Sequence, residues 1–134
     1  MDSRPPRWPL PGSWPGLLLI LLVIGLLLPA CTPAPDLYGK PASIKHLEQQ
    51  AAPLRTLSIG AQAVVRGQLG EVCKMGCWFY LLGDSGLRRV ELDLSSGFVI
   101  PPDSAGREAL VAGSLSAEGP EGRILAETVV LYPR

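Results

Sequence analysis

Residues Leu17 to Leu28 read LLLILLVIGLLL, twelve consecutive positions without a polar or charged side chain. This run constrains the chain more than any other feature, because it separates a segment that does not join a soluble core from a remainder that must. A bilayer core takes about 20 residues of helix. A run of twelve is short of that and matches the apolar region of a secretory signal peptide, about 7–15 residues long. Arg4, Arg7 and the α-amino group outweigh Asp2 ahead of it, as the positive leader of such a signal requires.

The run closes on Leu28-Pro29-Ala30-Cys31. This resembles the bacterial lipobox, an aliphatic residue and two usually small ones before a cysteine. The resemblance implies that residues 1–30 are a lipoprotein signal peptide and that Cys31 becomes the first mature residue, carrying diacylglycerol and an N-terminal acyl (palmitate-type) chain. Each buried methylene contributes about 0.8 kcal/mol, so three chains anchor a soluble domain to a membrane. Thr32 follows, where the inner-membrane retention signal of enteric bacteria has Asp. The localisation this implies is the bacterial cell envelope, with the domain facing periplasm or exterior.

Removal of the signal leaves 104 residues with 10 Lys/Arg and 11 Asp/Glu, a net charge of −1. That balance gives no basic excess with which to hold nucleic acid. Residues 31–42 include TPAPDLYGKPA, with three prolines and no apolar periodicity, and read as a tether. Ser43 stands where it can cap a short helix from Ile44 to about Ala52, which Pro53 ends. Ile44 and Leu47 lie on one face of that helix, and His46, the single histidine of the chain, lies on its polar side.

Residues 43–134 then read as strand, turn, strand. Ala63, Val65 and Leu69 alternate with Gln62, Arg66 and Gln68, and Gly67 and Gly70 mark a bend. Cys77 to Leu82, CWFYLL, is apolar at every position and reads as the most buried strand. The turn Gly83-Asp84-Ser85-Gly86 leads to a strand with Val90, Leu92 and Leu94 facing in and Arg89, Glu91 and Asp93 facing out. Ala109 to Leu115 and Arg123 to Tyr132 flank the turn Gly119-Pro120-Glu121-Gly122. Five short strands with strand-bending glycines predict an all-β, OB-fold-like five-stranded barrel with a short N-terminal helix, an SH3-like barrel being the alternative. The connection Phe98 to Arg107, FVIPPDSAGR, has too many prolines for the helix an OB-fold carries there, so the N-terminal helix is expected to close the barrel end instead.

The chemistry concentrates in Cys73-Lys74-Met75-Gly76-Cys77. Lys74, Met75 and Gly76 form a three-residue hairpin loop, with Gly76 at the left-handed position, so the two thiols face each other. Three readings stand open. Cys73 and Cys77 form a structural disulfide, as expected in an oxidising compartment. Alternatively, with Met75, they make a soft-metal site suited to copper. Or they are a redox-active dithiol, with Lys74 favouring thiolate. Trp78, Phe79 and Tyr80 read as core aromatics. Asp84, Glu91, Asp93 and Asp103 are not paired with a base or nucleophile, so no enzyme, catalytic residue or resident cofactor is expected.

At this hairpin the chain resembles a family of small, uncharacterised bacterial OB-fold proteins, many with lipoprotein signals. The shared elements are Val65-Arg66-Gly67, then Val72-Cys73 with Gly76-Cys77-Trp78, and Pro102-Asp103-Ser104-Ala105-Gly106. The family form carries four residues between the cysteines where this chain has three. The resemblance implies an OB-fold and no established activity. The expectation is therefore a lipid-anchored binding or accessory module, held to the membrane through Cys31, with an envelope protein as partner.

Overall fold

A computed structural model describes residues 3–5, 14–27, 31–53, 58–84, 86–93, 95, 97–117 and 122–134. Leu28, Pro29 and Ala30, together with Leu57, Ser85, Leu94 and the turn residues Gly119 to Glu121, lie outside the described residues. The chain divides into two units, Met1–Thr32 and Pro33–Arg134. The first holds helix α1, Trp14–Leu27, whose leucines and isoleucines are exposed along its length. No described helix is long and apolar enough to cross a membrane.

The second unit is a sheet closed on itself. Its strands are β1 (Asp36–Gly39), β2 (Ala51–Ala52), β3 (Gln62–Val72), β4 (Trp78–Gly83), β5 (Gly86–Leu92), β6 (Glu108–Ser116) and β7 (Arg123–Leu131), and helix α2 spans Ile44–Gln50. Strand β3 pairs antiparallel with β4 and with β6, β4 with β5, and β6 with β7. The ring shuts where β5 runs parallel to β7, with Val90 opposite Ile124. This circuit, with its single parallel contact, is the OB-fold arrangement and sets aside the SH3-like alternative. Alternation then fixes the inside. Val65, Leu69, Phe79, Leu81, Val90, Leu92, Val111, Ile124 and Val129 share one core.

The glycine bend lies where expected. The β3–β4 register shifts between Leu69 and Val72, and a Cβ on Gly67 would sit 2.6 Å from the Leu82 carbonyl oxygen. No helix occupies Phe98 to Arg107. Instead Ile100 inserts into the core, with Phe98 packed beside it. Ser104, fully buried, donates its hydroxyl to the Pro101 carbonyl at 2.6 Å. Leu69 then exchanges backbone hydrogen bonds with this segment, its N–H donating to Arg107 and its carbonyl accepting from Gly106, both at 2.8 Å.

Four expectations are corrected. The segment read as a tether contains β1, antiparallel to β7 with Leu37 opposite Val130. The reason is an edge. β5 covers β7 only from Arg123 to Ala126, and β1 takes the open edge from Thr128 to Leu131. Arg107 fastens it, donating to the Tyr132 carbonyl at 2.8 Å and to the Asp36 carboxylate at 3.1 Å. Second, α2 stops at Gln50, and Ala51–Ala52 pair parallel with Val64–Val65 along the part of β3 that β4 leaves open. Ser43 precedes the helix without a side-chain capping bond.

Third, α2 does not close the barrel end. Leu47 packs with Val64, Leu110 and Val130, the residues alternating with the inward-facing Val65, Val111 and Val129, so the helix covers the outer face of β3, β6 and β7. Fourth, the strand buried on both faces is β7, where Val129, Val130 and Leu131 are all inaccessible, because α2 covers it. Strand β4 has no such cover and alternates, with Phe79 and Leu81 buried and Leu82 about half exposed at 48%.

Tyr132 ties the helix to the barrel, donating its phenol to the Glu48 carboxylate, with Arg66 stacked 5.2 Å from its ring centre. Burial first, and then that hydrogen bond, push the phenol up to about 12. The folded protein therefore holds this proton more tightly than the unfolded chain, where tyrosine titrates near 10. The stabilisation is complete below pH ~10 and fades as pH rises towards ~12. Absorbance titration at 295 nm should show a phenol titrating near 12 that Tyr132→Phe removes. Survival of that component in the variant would overturn its assignment to Tyr132.

Candidate functional site: the cysteine hairpin and the outer face of β4 and β5

The loop joining β3 to β4 is held by backbone bonds at each step. The Cys73 N–H donates to the Trp78 carbonyl at 2.9 Å, and the Gly76 N–H returns to the Cys73 carbonyl at 2.8 Å. The loop is one residue longer than expected: Cys73 pairs with Trp78 rather than Cys77, β4 begins at Trp78, and Lys74 to Cys77 make the turn, with Gly76 in the left-handed conformation at φ +72°. Its carbonyl accepts from Ile100 at 3.1 Å, and the Cys77 carbonyl accepts from Leu92 at 3.1 Å. The hairpin is thus docked on the plug segment and on β5.

This backbone brings the two half-exposed sulfurs to 3.3 Å, unbonded, with the Cys77 thiol donating to Cys73. The pair is electrostatically unequal. Backbone N–H groups, that of Met75 foremost and those of Cys77 and Gly76 with it, add to the Cys77 thiol in holding Cys73 below the ordinary thiol range. Each donor stabilises negative charge on the sulfur. Cys77 is pushed up, first because its proton is engaged with Cys73 and then by burial. The expected electrostatic help from Lys74 is not what lowers Cys73, since backbone donors do so.

Met75 is 80% exposed at the loop tip. Among the described residues no three of His, Cys, Asp and Glu gather as a metal set, so a copper ion here would rest on Cys73, Cys77 and the Met75 thioether. His46 is exposed on α2.

Beside the hairpin lies a surface that the core reading of the aromatics overlooked. Only Phe79 enters the core. Trp78 and Tyr80 point outward from β4 with ring centres 5.6 Å apart in an edge-to-face contact. Arg89, opposite Tyr80 on β5, lies 4.7 Å over the Trp78 ring. Glu91, opposite Trp78, receives Arg89 at 3.1 Å and also Arg123 of β7. A Cβ added at Gly70 of β3 would meet the Tyr80 Cβ at 3.6 Å, an ordinary contact. The signal was present in the sequence, because positions two apart on a strand share a face. Spacing does not say which face another element will cover, and among the described residues no helix or strand lies over this one.

The carboxylates expected to stand apart do so in part. Asp93 accepts from the Ser95 N–H and hydroxyl at 2.9 and 2.6 Å, which holds it below the usual carboxylate range. It also lines an open cleft with Gly39, Lys40, Pro41 and Glu127. Neither Asp84, Glu91 nor Asp103 lines that cleft.

No family model matches the chain, and no curated protein matches it. Among solved structures it is similar to one described as the hypothetical protein ygiW from E. coli, at 14% identity and a TM-score of 0.42, over 69% of this chain and 90% of that one.

Proposed function

We propose that the protein is a lipid-anchored binding module of the bacterial cell envelope, held through Cys31, with the outer face of β4 and β5 as its contact surface for an envelope protein. The observation that carries the reading is the Trp78–Arg89–Tyr80 group on a strand face with no helix above it. Trp78 is only half-buried and so forgoes part of its burial free energy, and aromatic and arginine side chains are the types over-represented in recognition surfaces. The strand pair β4–β5 and the loop before it are also the elements through which OB-folds contact ligands. The anchor rests on the apolar run and the Leu-Pro-Ala-Cys sequence that ends it. In an oxidising envelope the Cys73 and Cys77 sulfurs, already 3.3 Å apart, close to a disulfide by small side-chain rotations.

One strain tests both halves. Cells expressing the full chain with a photo-crosslinking amino acid at Tyr80, or at Glu48 on α2, are fed an alkyne palmitate analogue. The expected result is acyl label that Cys31→Ala abolishes, with a discrete protein adduct from position 80 and none from position 48. Label that survives Cys31→Ala removes the anchor. Equal adducts from both positions remove the face.

A further inference from the structure

The hairpin keeps its shape without a sulfur–sulfur bond. One backbone hydrogen bond of 2.8 Å closes the turn and three of 2.9–3.1 Å dock it on β4, on β5 and on Ile100, while the sulfurs stand unbonded at 3.3 Å. A bond across three intervening residues also closes a very short loop, so it removes little entropy from the unfolded chain. A disulfide here would therefore be half-exposed, inessential to the barrel, and flanked by groups that prefer one sulfur as an anion. Structural disulfides resist reduction, whereas exposed and labile ones serve exchange.

We propose that Cys73 and Cys77 form an exchangeable disulfide, which opens by passing its oxidising equivalents to a dithiol of a partner protein. A partner thiolate attacks the Cys77 Sγ. The Cys73–Cys77 bond breaks and its electron pair leaves on the Cys73 Sγ, where the loop N–H groups receive the charge. The partner's second thiolate then attacks the partner sulfur of the mixed disulfide, and Cys77 departs and takes up a proton. Two partner thiols become a disulfide and Cys73 and Cys77 become a dithiol: the partner's two thiols release two protons to solvent on ionising, Cys77 takes one up as it departs, and the Cys73 thiolate takes up the other from solvent. The leaving sulfur is the one whose anion is stabilised, which speeds opening. This goes beyond the binding reading, in which the disulfide only braces the loop.

The test uses the full chain carrying Cys31→Ser in detergent, so that only the pair reports and the outcome is independent of lipidation. Single-thiol variants Cys77→Ser and Cys73→Ser keep a hydroxyl donor at the replaced position. With 5,5′-dithiobis(2-nitrobenzoate) at pH 7, Cys73 in the first variant should react at least about tenfold faster than Cys77 in the second. Its pH–rate midpoint should lie below the ~8.5 of a free thiol. In the parent, reduced glutathione should open the disulfide while the thermal melt and far-ultraviolet circular dichroism keep their folded signals. Equal rates in the two variants, a pair that stays closed in excess glutathione, or unfolding on opening would each overturn the proposal.

Discussion

Replacing Phe79 by alanine is expected to destabilise the protein by about 3–5 kcal/mol, the range for emptying a fully buried aromatic site. Phe79 is inaccessible to solvent, at the centre of the core shared by β3, β4, β5 and β7. The barrel has one interior, and the plug residue Ile100 is already seated in it, so the cavity has little to collapse onto. For a domain of about a hundred residues that loss lowers Tm by roughly 12–40 °C. The neighbouring Trp78→Ala removes a larger side chain, yet its ring lies on the outer face, so urea melts should place its cost below about 1.5 kcal/mol. If Trp78→Ala proved the more damaging, the assignment of inside and outside on β4 would be reversed.

Gly76→Ala is expected to cost about 2–4 kcal/mol, for two additive reasons. The position has φ +72°, which an L side chain adopts only with strain. A Cβ there would also stand 2.2 Å from the Ile100 carbonyl oxygen, and backbone cannot rotate away as a flexible side chain can. Relief requires the hairpin to lift from the plug, breaking the 3.1 Å bond from the Ile100 N–H to the Gly76 carbonyl. The same lift disturbs the loop N–H groups that lower Cys73, so its thiol reactivity should fall in parallel with stability. Gly86→Ala is the comparison. Its φ is also positive, +106°, but no atom lies within 4 Å of the added Cβ. It should carry conformational strain without the clash and melt above Gly76→Ala in calorimetry.

The two substitutions differ in what they show about legibility. Phe79 is central because β4 alternates, and alternation is a local property. Gly76 is indispensable because Ile100 lies against it, and that contact joins residues 24 positions apart in a chain whose intervening strands give no hint of it. The cysteine pair shows both sides. The short spacing suffices to predict neighbouring thiols, and they stand 3.3 Å apart, but Cys73 pairs with Trp78 and Cys77 belongs to a four-residue loop, a register that spacing alone did not give. Which sulfur is the better anion depends on how the loop N–H groups turn, and the nearby Lys74 pointed to the wrong donor.

The apolar run, the five barrel strands, their bend at Gly67 and Gly70 and the closeness of Cys73 to Cys77 are legible in the sequence, because each is written in spacing within about ten residues. Only the tertiary structure decided that Asp36–Gly39 is a strand, that α2 lies across the outer face, and that Trp78 and Tyr80 are left uncovered beside Arg89. Periodicity separates the two faces of a strand but cannot say which of them another element will cover. A sheet edge is likewise claimed by whatever segment closure brings alongside. On this barrel closure through β5 and β7 left the β7 edge open from Thr128 to Leu131, and the segment at hand to satisfy its backbone groups was the proline-flanked one.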